Sequence, residues 1–448
     1  MKVGVLLAAL LGMLLMASSA SAHPQPGGFG FGLSSGWLDP DDAKALGLEN
    51  ARAPLGSNAP QSFNKCKGGM AAEFPCDNVD MLSHMPLSEL GGARAGNDMW
   101  GWQDPQTGRE YALSGNTGGT AIVDVTDAKR PRLVGTLPTQ ATGTRDSWRD
   151  IKVYKDHAFV VSEHFNHGMQ VLDLTRLREV RAGAPVTFTA DAVYDDVSNT
   201  HNLDINEDTG FAYLVGTSTC RGGLHMVDIR SPKNPTFAGC FEDDGYTHDS
   251  QCVVYDGPDE RFAGREICFA SNEDTVTIVD VTDKANPEML SRTGYPSAVY
   301  THQGWLTSDK QHFVFNDEGD ENGFGDPPTT DRQTTYALEV EDLVSPGQGL
   351  ARPNNTTSID HNLYIKGDGY VYESNYTSGL RIFTEKSVGT TDMQEVAWFD
   401  VYPENDNATF EGGTWSNYIW FSKGVVGVNS IDRGLFLLKP KLKKVKDR

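Results

Sequence analysis

An all-β chain closed into a seven-bladed β-propeller with four-stranded blades is the fold this sequence predicts, and three observations carry it. A short apolar strand with a central aspartate recurs as Ile122-Val123-Asp124-Val125, Val171-Leu172-Asp173-Leu174, Met226-Val227-Asp228-Ile229 and Ile278-Val279-Asp280-Val281, the aspartates standing 49, 55 and 52 residues apart. A histidine recurs just ahead of another short apolar strand, as His201, His248, His302 and His361, which are 47, 54 and 59 residues apart. Between these marks the chain alternates short strand-like runs with Asp- and Pro-containing turns, and no helical period emerges. A strand-built repeat of this length is the signature of a propeller blade, and radial closure leaves only short protected edges.

The elements follow in order. Residues 1–22 join Lys2, an apolar run and a small-residue stretch ending at Ala22, the pattern of a secretory signal cleaved after Ala22. The apolar run is too short to stay in a bilayer, and no later stretch has spanning length. The mature chain is therefore expected to be exported, extracytoplasmic and without a transmembrane anchor. Residues 23–62, rich in Gly, Pro, Asn and Ser, read as a flexible leader with a short helix over 38–48 capped by Asp39. Residues 63–96 hold Cys66, Cys76 and a segment, 79–87, that resembles the fourth strand of other units. The seven units fill 97–438, weaker copies of the aspartate strand being Tyr336-Ala337-Leu338, Leu380-Arg381-Ile382-Phe383 and Leu435-Phe436-Leu437-Leu438. After the last copy the chain turns to a basic tail, 439–448, so the final unit is one strand short. The 79–87 segment is expected to supply that strand and join the two ends of the ring.

Composition narrows the partners. With 38 Lys and Arg against 61 Asp and Glu the formal charge is −23, which disfavours nucleic acid and anionic lipid. Six cysteines in an exported chain are most economically three disulfides, and local spacing pairs Cys66 with Cys76, Cys220 with Cys240 and Cys252 with Cys268. None stands in a Cys-x-x-Cys pair.

The Ile-Val-Asp-Val strands resemble the LVIVD repeats of bacterial surface proteins. The wider set Trp148-Arg149-Asp150, Ser162-Glu163-His164, His201-Asn202, Ser271-Asn272-Glu273-Asp274, His302-Gln303-Gly304-Trp305 and Asp360-His361-Asn362 resembles the choice-of-anchor B family over most of the mature chain. That resemblance implies a secreted or surface-attached bacterial propeller whose anchor varies from member to member, and implies no particular activity.

Chemistry has to come from the ring. The loop entering the innermost strand and the loop after the second strand emerge on one face, so His201, His248, His302 and His361 should gather near the axis. Glu163 and His164, Glu273, and Asp317, Glu318 and Asp320 should stand around them. Carboxylates packed this closely are costly without a cation. Neutral imidazoles suit copper, iron or zinc, with carboxylates orienting the rings. The stretch Asp317-Glu318-Gly319-Asp320-Glu321-Asn322-Gly323 suggests a separate all-oxygen calcium site, although its spacing is not an EF-hand loop. His84, His157, His225 and His312 fall outside the pattern, and Trp100, Trp102, Trp305, Trp415 and Trp420 are expected to pack between blades.

Three readings of the face stay open. It is a binding module for an extracellular protein, glycan or small molecule, with metal on the histidine and carboxylate face. Alternatively it is a metal-dependent extracytoplasmic enzyme working at the axis. As a third, it is a structural ring without metal, since WD40 blades carry a periodic histidine too. No nucleophile elbow, His-Glu-x-x-His helix or phosphate-binding loop is present in a supporting context.

Overall fold

A computed structural model describes residues 60–140, 148–181, 183–323, 327–390 and 392–443. The expected signal peptide, nearly all of the leader with its helix, and the end of the basic tail lie outside the described residues. Seven sheets follow one another along the chain. Their innermost strands are Gly96–Gln103, Arg149–Tyr154, Asn202–Asn206, Asp249–Val254, Thr301–Leu306, Asn362–Ile365 and Thr414–Tyr418, and these define blades 1 to 7. Among the described residues the only helices are short 3₁₀ turns.

The repeated aspartate has a local reason. It ends the third strand of its blade and folds back on the next turn, accepting the backbone N–H two residues on: Asp124 from Thr126 (3.2 Å), Asp173 from Thr175, Asp228 from Arg230 and Asp280 from Thr282 (3.0 Å each). An Asx turn of this kind sets the reversal that brings the fourth strand back beside the third.

Seven buried apolar clusters lie one in each gap between neighbouring blades. In the first, Leu113 and Ile122 of blade 1 meet Ile151 and Val160 of blade 2. In the last, Leu435 and Leu437 of blade 7 meet Ala112 and Val123 of blade 1, so the ring has no open gap. Each blade thus buries both faces against its neighbours, the condition under which strands become apolar on both sides.

Closure is by the N-terminal strand, as expected. Val79–Met85 pairs antiparallel with Gly434–Pro440, from Val79 opposite Pro440 to Met85 opposite Leu435. The same N-terminal region does more than the spacing suggested. Phe74–Asp77 adds to the outer edge of blade 6 and Met70–Ala71 follows it, making that sheet six-stranded. Val186–Thr187 adds a parallel strand to the edge of blade 1. All three disulfides form with the pairing read from local spacing. Cys66–Cys76 ties the closing segment to itself, and Cys252–Cys268 links two paired strands of blade 4.

Removing residues through 90 would expose the Gly434–Pro440 edge and strip the outer strands from blades 6 and 7. The truncated protein is expected to lose cooperative thermal unfolding and become sensitive to limited proteolysis. A monomeric, protease-resistant product with the full-length melting temperature would contradict the closure.

Candidate functional site

The four histidines stand side by side at the N-terminal ends of the inner strands of blades 3 to 6. Successive ring centroids are 4.2, 4.1 and 4.2 Å apart from His201 through His248 and His302 to His361. The arc continues in tryptophan. Trp415 of blade 7 lies 4.6 Å from His361 and stacks on Trp148, just ahead of blade 2, at 4.1 Å. Thr414-Trp415 stands where other blades have Thr200-His201, Thr247-His248 and Thr301-His302, which is the sequence signal that could have found it.

Hydrogen bonds orient the imidazoles. Nδ1 of His248 donates to the backbone carbonyl of His302 (2.9 Å), and Nδ1 of His361 donates to that of Trp415 (2.6 Å). A ring whose Nδ1–H is given to a carbonyl carries its lone pair on Nε2, the tautomer that ligates metals. Nε2 of His361 and Nδ1 of His302 have no hydrogen-bond partner although both are buried. Glu318 lies between the two rings, its oxygens 3.6 Å from His302 Nε2 and 3.4 Å from His361 Nε2, and the Tyr376 hydroxyl donates to it. One ligand atom each from His248, His302 and Glu318 fall within 4.8 Å of one another.

Burial sets the charge states. It drives His248 and His302 well below the ordinary imidazole range, the neighbouring imidazoles adding to the effect, and it takes His361 down to about 3. These rings are neutral at physiological pH. Burial pushes the Glu318 carboxyl up to about 7. His201 is the exception: burial opposes its charge, but the Glu163 carboxylate at 2.5 Å outweighs that and holds it above the ordinary value. His201 and Glu163 are the half-buried, solvent-facing end of the arc.

The remaining expected residues do not join this cluster. His164 turns its Nδ1 to the carbonyl of Phe165 (2.9 Å). Glu273 contributes its backbone carbonyl to the Thr301 N–H, and burial pushes its half-buried carboxyl up to about 7. Asp317 is consumed by its own loop, accepting from the Tyr295 hydroxyl (2.6 Å) and from the N–H groups of Val299, Tyr300 and Gly319 (2.7, 2.8 and 3.0 Å). With its lone pairs filled it has none for a metal. Asp320 leaves the histidines and meets Glu321 and Asp360 in a second buried group. Cys220, His225 and Cys240 also lie together, but the sulfurs are joined as a disulfide and His225 is bonded to Tyr194 and Thr219.

At the opposite ends of the inner strands lies a cavity of ≈ 540 Å³. Trp100, Trp305, Trp420 and Tyr418 supply aromatic walls and Lys152 and Asp204 a polar part, so three tryptophans expected as blade packing also face a void. Lys152 is buried, bonded to Asp150 at 2.5 Å and 4.8 Å above the Trp100 ring. Asp204 accepts the Cys252 N–H of the next blade (2.6 Å), and burial lifts its carboxyl to about 7.

No family model matches the chain, and no curated protein matches it. Among solved structures it is similar to the β-propeller domain of Cps50 (Swd1) from Myceliophteria thermophila, at 9% identity over 75% of this chain and 94% of that one, TM-score 0.48. It is also similar to YCF48 bound to D1 peptide, at 12% identity over 84% of this chain and 96% of that one, TM-score 0.43. The blade count rests on the strand pairing itself, and neither likeness bears on the site. The fold defines a seven-bladed β-propeller.

Asp204 gives the fold a pH dependence of definite sign. An unfolded aspartate ionises near pH 4, so the group's contribution is fully present below about 4 and is lost as pH climbs through its folded value of about 7. Asp204→Asn keeps the acceptor for Cys252 and removes the buried charge. The melting-temperature difference between variant and wild type is expected to shift in the variant's favour by several degrees from pH 5 to pH 8. A difference that does not change with pH would refute it.

Proposed function

We propose that this protein is an extracytoplasmic ligand-binding propeller whose histidine face holds one transition metal ion between His248, His302 and Glu318. The observation that carries the reading is the convergence of those three ligand atoms within 4.8 Å. The tautomer of His248, set by its Nδ1–H bond to a carbonyl, leaves Nε2 for the ion. Two imidazoles and a carboxylate form the mixed nitrogen and oxygen set preferred by zinc, copper or iron rather than by calcium. His361, whose Nε2 is without a partner beside Glu318, is a fourth ligand in reach. Tyr376, bonded to Glu318, and the carbonyls of His302 and Trp415 are the outer groups that orient the set.

Three disulfides suit an oxidising compartment, and no helix among the described residues is long and apolar enough to cross a membrane. The disulfides support the exported reading, as does the resemblance to choice-of-anchor B proteins. Ligand binding at the metal from the solvent side would pass His201 and Glu163, the half-buried end of the arc. An enzyme would need an exchangeable position at the metal on that same side.

Metal analysis of the full-length protein purified without chelator tests the proposal. One equivalent of zinc, copper or iron is expected, falling at least tenfold in His248→Ala/His302→Ala and in Glu318→Gln. The metal-free variants should keep the wild-type circular dichroism. Absence of a stoichiometric transition metal after titration with Zn²⁺ and Cu²⁺, or full retention in the double variant, would overturn it.

A further inference from the structure

The loop that sends Glu318 to the histidines sends its next two acids elsewhere. Asp320 and Glu321 follow the second strand of blade 5, His312–Asp317, and Asp360 precedes the inner strand of blade 6, Asn362–Ile365. One oxygen from each lies within 4.8 Å of the others, and all three residues are buried. The three side chains are fixed unequally. Asp320 Oδ2 accepts from the Tyr336 hydroxyl (2.7 Å) and Glu321 Oε1 from the Thr334 N–H (2.8 Å). Their other oxygens, Asp320 Oδ1 and Glu321 Oε2, have no hydrogen-bond partner, and neither oxygen of the fully buried Asp360 has one.

Four such oxygens in one place need an explanation, because a buried acceptor without a partner keeps its full desolvation cost, and a charged one keeps more. Among the described residues no lysine or arginine pairs with the group. The Thr335 hydroxyl, which faces Asp360, is given to Glu373 Oε1 (3.0 Å), and Glu373 Oε2 is filled by Asn375 (3.1 Å). A proton shared between Asp320 and Glu321 would still leave Asp360 with no bond.

We infer that Asp320, Glu321 and Asp360 form a second metal site, specific for a hard divalent cation of the calcium type and separate from the histidine centre. The donors are all carboxylate oxygen, which suits calcium and not the borderline transition metals. Two oxygens on opposite sides of a calcium ion at about 2.4 Å are about 4.8 Å apart, so the observed separations admit it without rearrangement of the loops. Asp360, with both oxygens free, is placed to bind through two atoms. Magnesium demands near-ideal octahedral geometry, whereas calcium accepts an irregular carboxylate set completed by water or carbonyl oxygen. The ion would lock the blade 5 loop to the blade 6 loop. Those loops also carry Glu318 and His361, so calcium would order one side of the histidine face.

The site refines the sequence expectation for the 317–323 stretch. Asp317 is satisfied within the loop, Glu318 belongs to the imidazoles, and the third carboxylate comes from the next blade.

Calcium titration of chelator-stripped full-length protein by isothermal calorimetry, with melts in the presence and absence of about 1 mM Ca²⁺, tests the inference. One equivalent of Ca²⁺ and a higher melting temperature are expected. Asp360→Asn and Glu321→Gln should each weaken binding at least tenfold while keeping the circular dichroism of calcium-free wild type. Asp331→Asn, an exposed acid, and His248→Ala/His302→Ala should bind calcium like wild type. No one-equivalent uptake by wild type would overturn the site. So would wild-type affinity in Asp360→Asn, or calcium loss that follows the histidine variant instead. The outcome is independent of whether the histidines hold a transition metal.

Discussion

The innermost strand of every blade has one edge paired within its sheet and the other turned to the axis, where no further strand can add. Its backbone N–H groups need partners there, and in five successive blades a side chain from the preceding inner strand supplies one. Asp98 accepts from Ile151 (3.3 Å), Asp150 from Leu203 (2.7 Å), Asp204 from Cys252 (2.6 Å), Gln251 from Leu306 (2.8 Å) and Gln303 from Leu363 (2.8 Å). The circuit ends with reversed donors: Asn362 gives to the carbonyl of Trp415 (3.1 Å), and Asn429, from the second strand of blade 7, gives to that of Asn97 (2.8 Å). A buried backbone group left alone costs as much as a lost hydrogen bond, so this clasp is a condition of closing the disc.

The clasp explains why acids crowd the axis without serving chemistry there. Asp150, which stands at the start of its strand like the histidines, belongs to it; burial pushes its carboxyl up, but the Lys152 ammonium and the hydrogen bonds from Asp98 and the Leu203 N–H together hold it below its ordinary value. Asp98 beside it is driven well upward by burial and by Asp150. Once the inner strands are held in this way, their first residues project from one end and their last residues from the other. The first end collects four imidazoles, two indoles and Glu318. The second collects the tryptophan-lined cavity.

Blade 5 shows how one loop is divided among tasks. Asp317 holds the loop through four hydrogen bonds, Glu318 reaches the imidazoles, and Asp320 and Glu321 reach Asp360. Side-chain direction alternates along an extended chain, so this run of acids is divided between two groups, although the turn leaves the neighbours Asp320 and Glu321 in the same one. The same alternation sends Asp360 and His361 to different groups across the blade 5 and blade 6 boundary.

The repeat itself was legible in the chain. Asp124, Asp173, Asp228 and Asp280 mark third-strand ends because an Asx turn is a local interaction, and local interactions recur at a fixed place in every copy. The closing strand at Val79–Met85 was legible because it copies the pattern of the other outer strands, and the disulfides because each joins cysteines close in sequence. The histidine arc was legible as a position, since equal places in equal blades must meet around an axis.

What the sequence left open is decided across blade boundaries. Whether Glu318 faces His302 and His361 while Asp317 does not depends on which way each side chain leaves the loop. The place of Asp360 beside Asp320 and Glu321 depends on the approach of two blades. Trp148 and Trp415 complete the arc by stacking between positions 267 residues apart. Periodicity along a chain encodes the blade, because a blade is held by its own hydrogen bonds. The sites are made by contacts between blades, and only the packed ring sets which side chains those are.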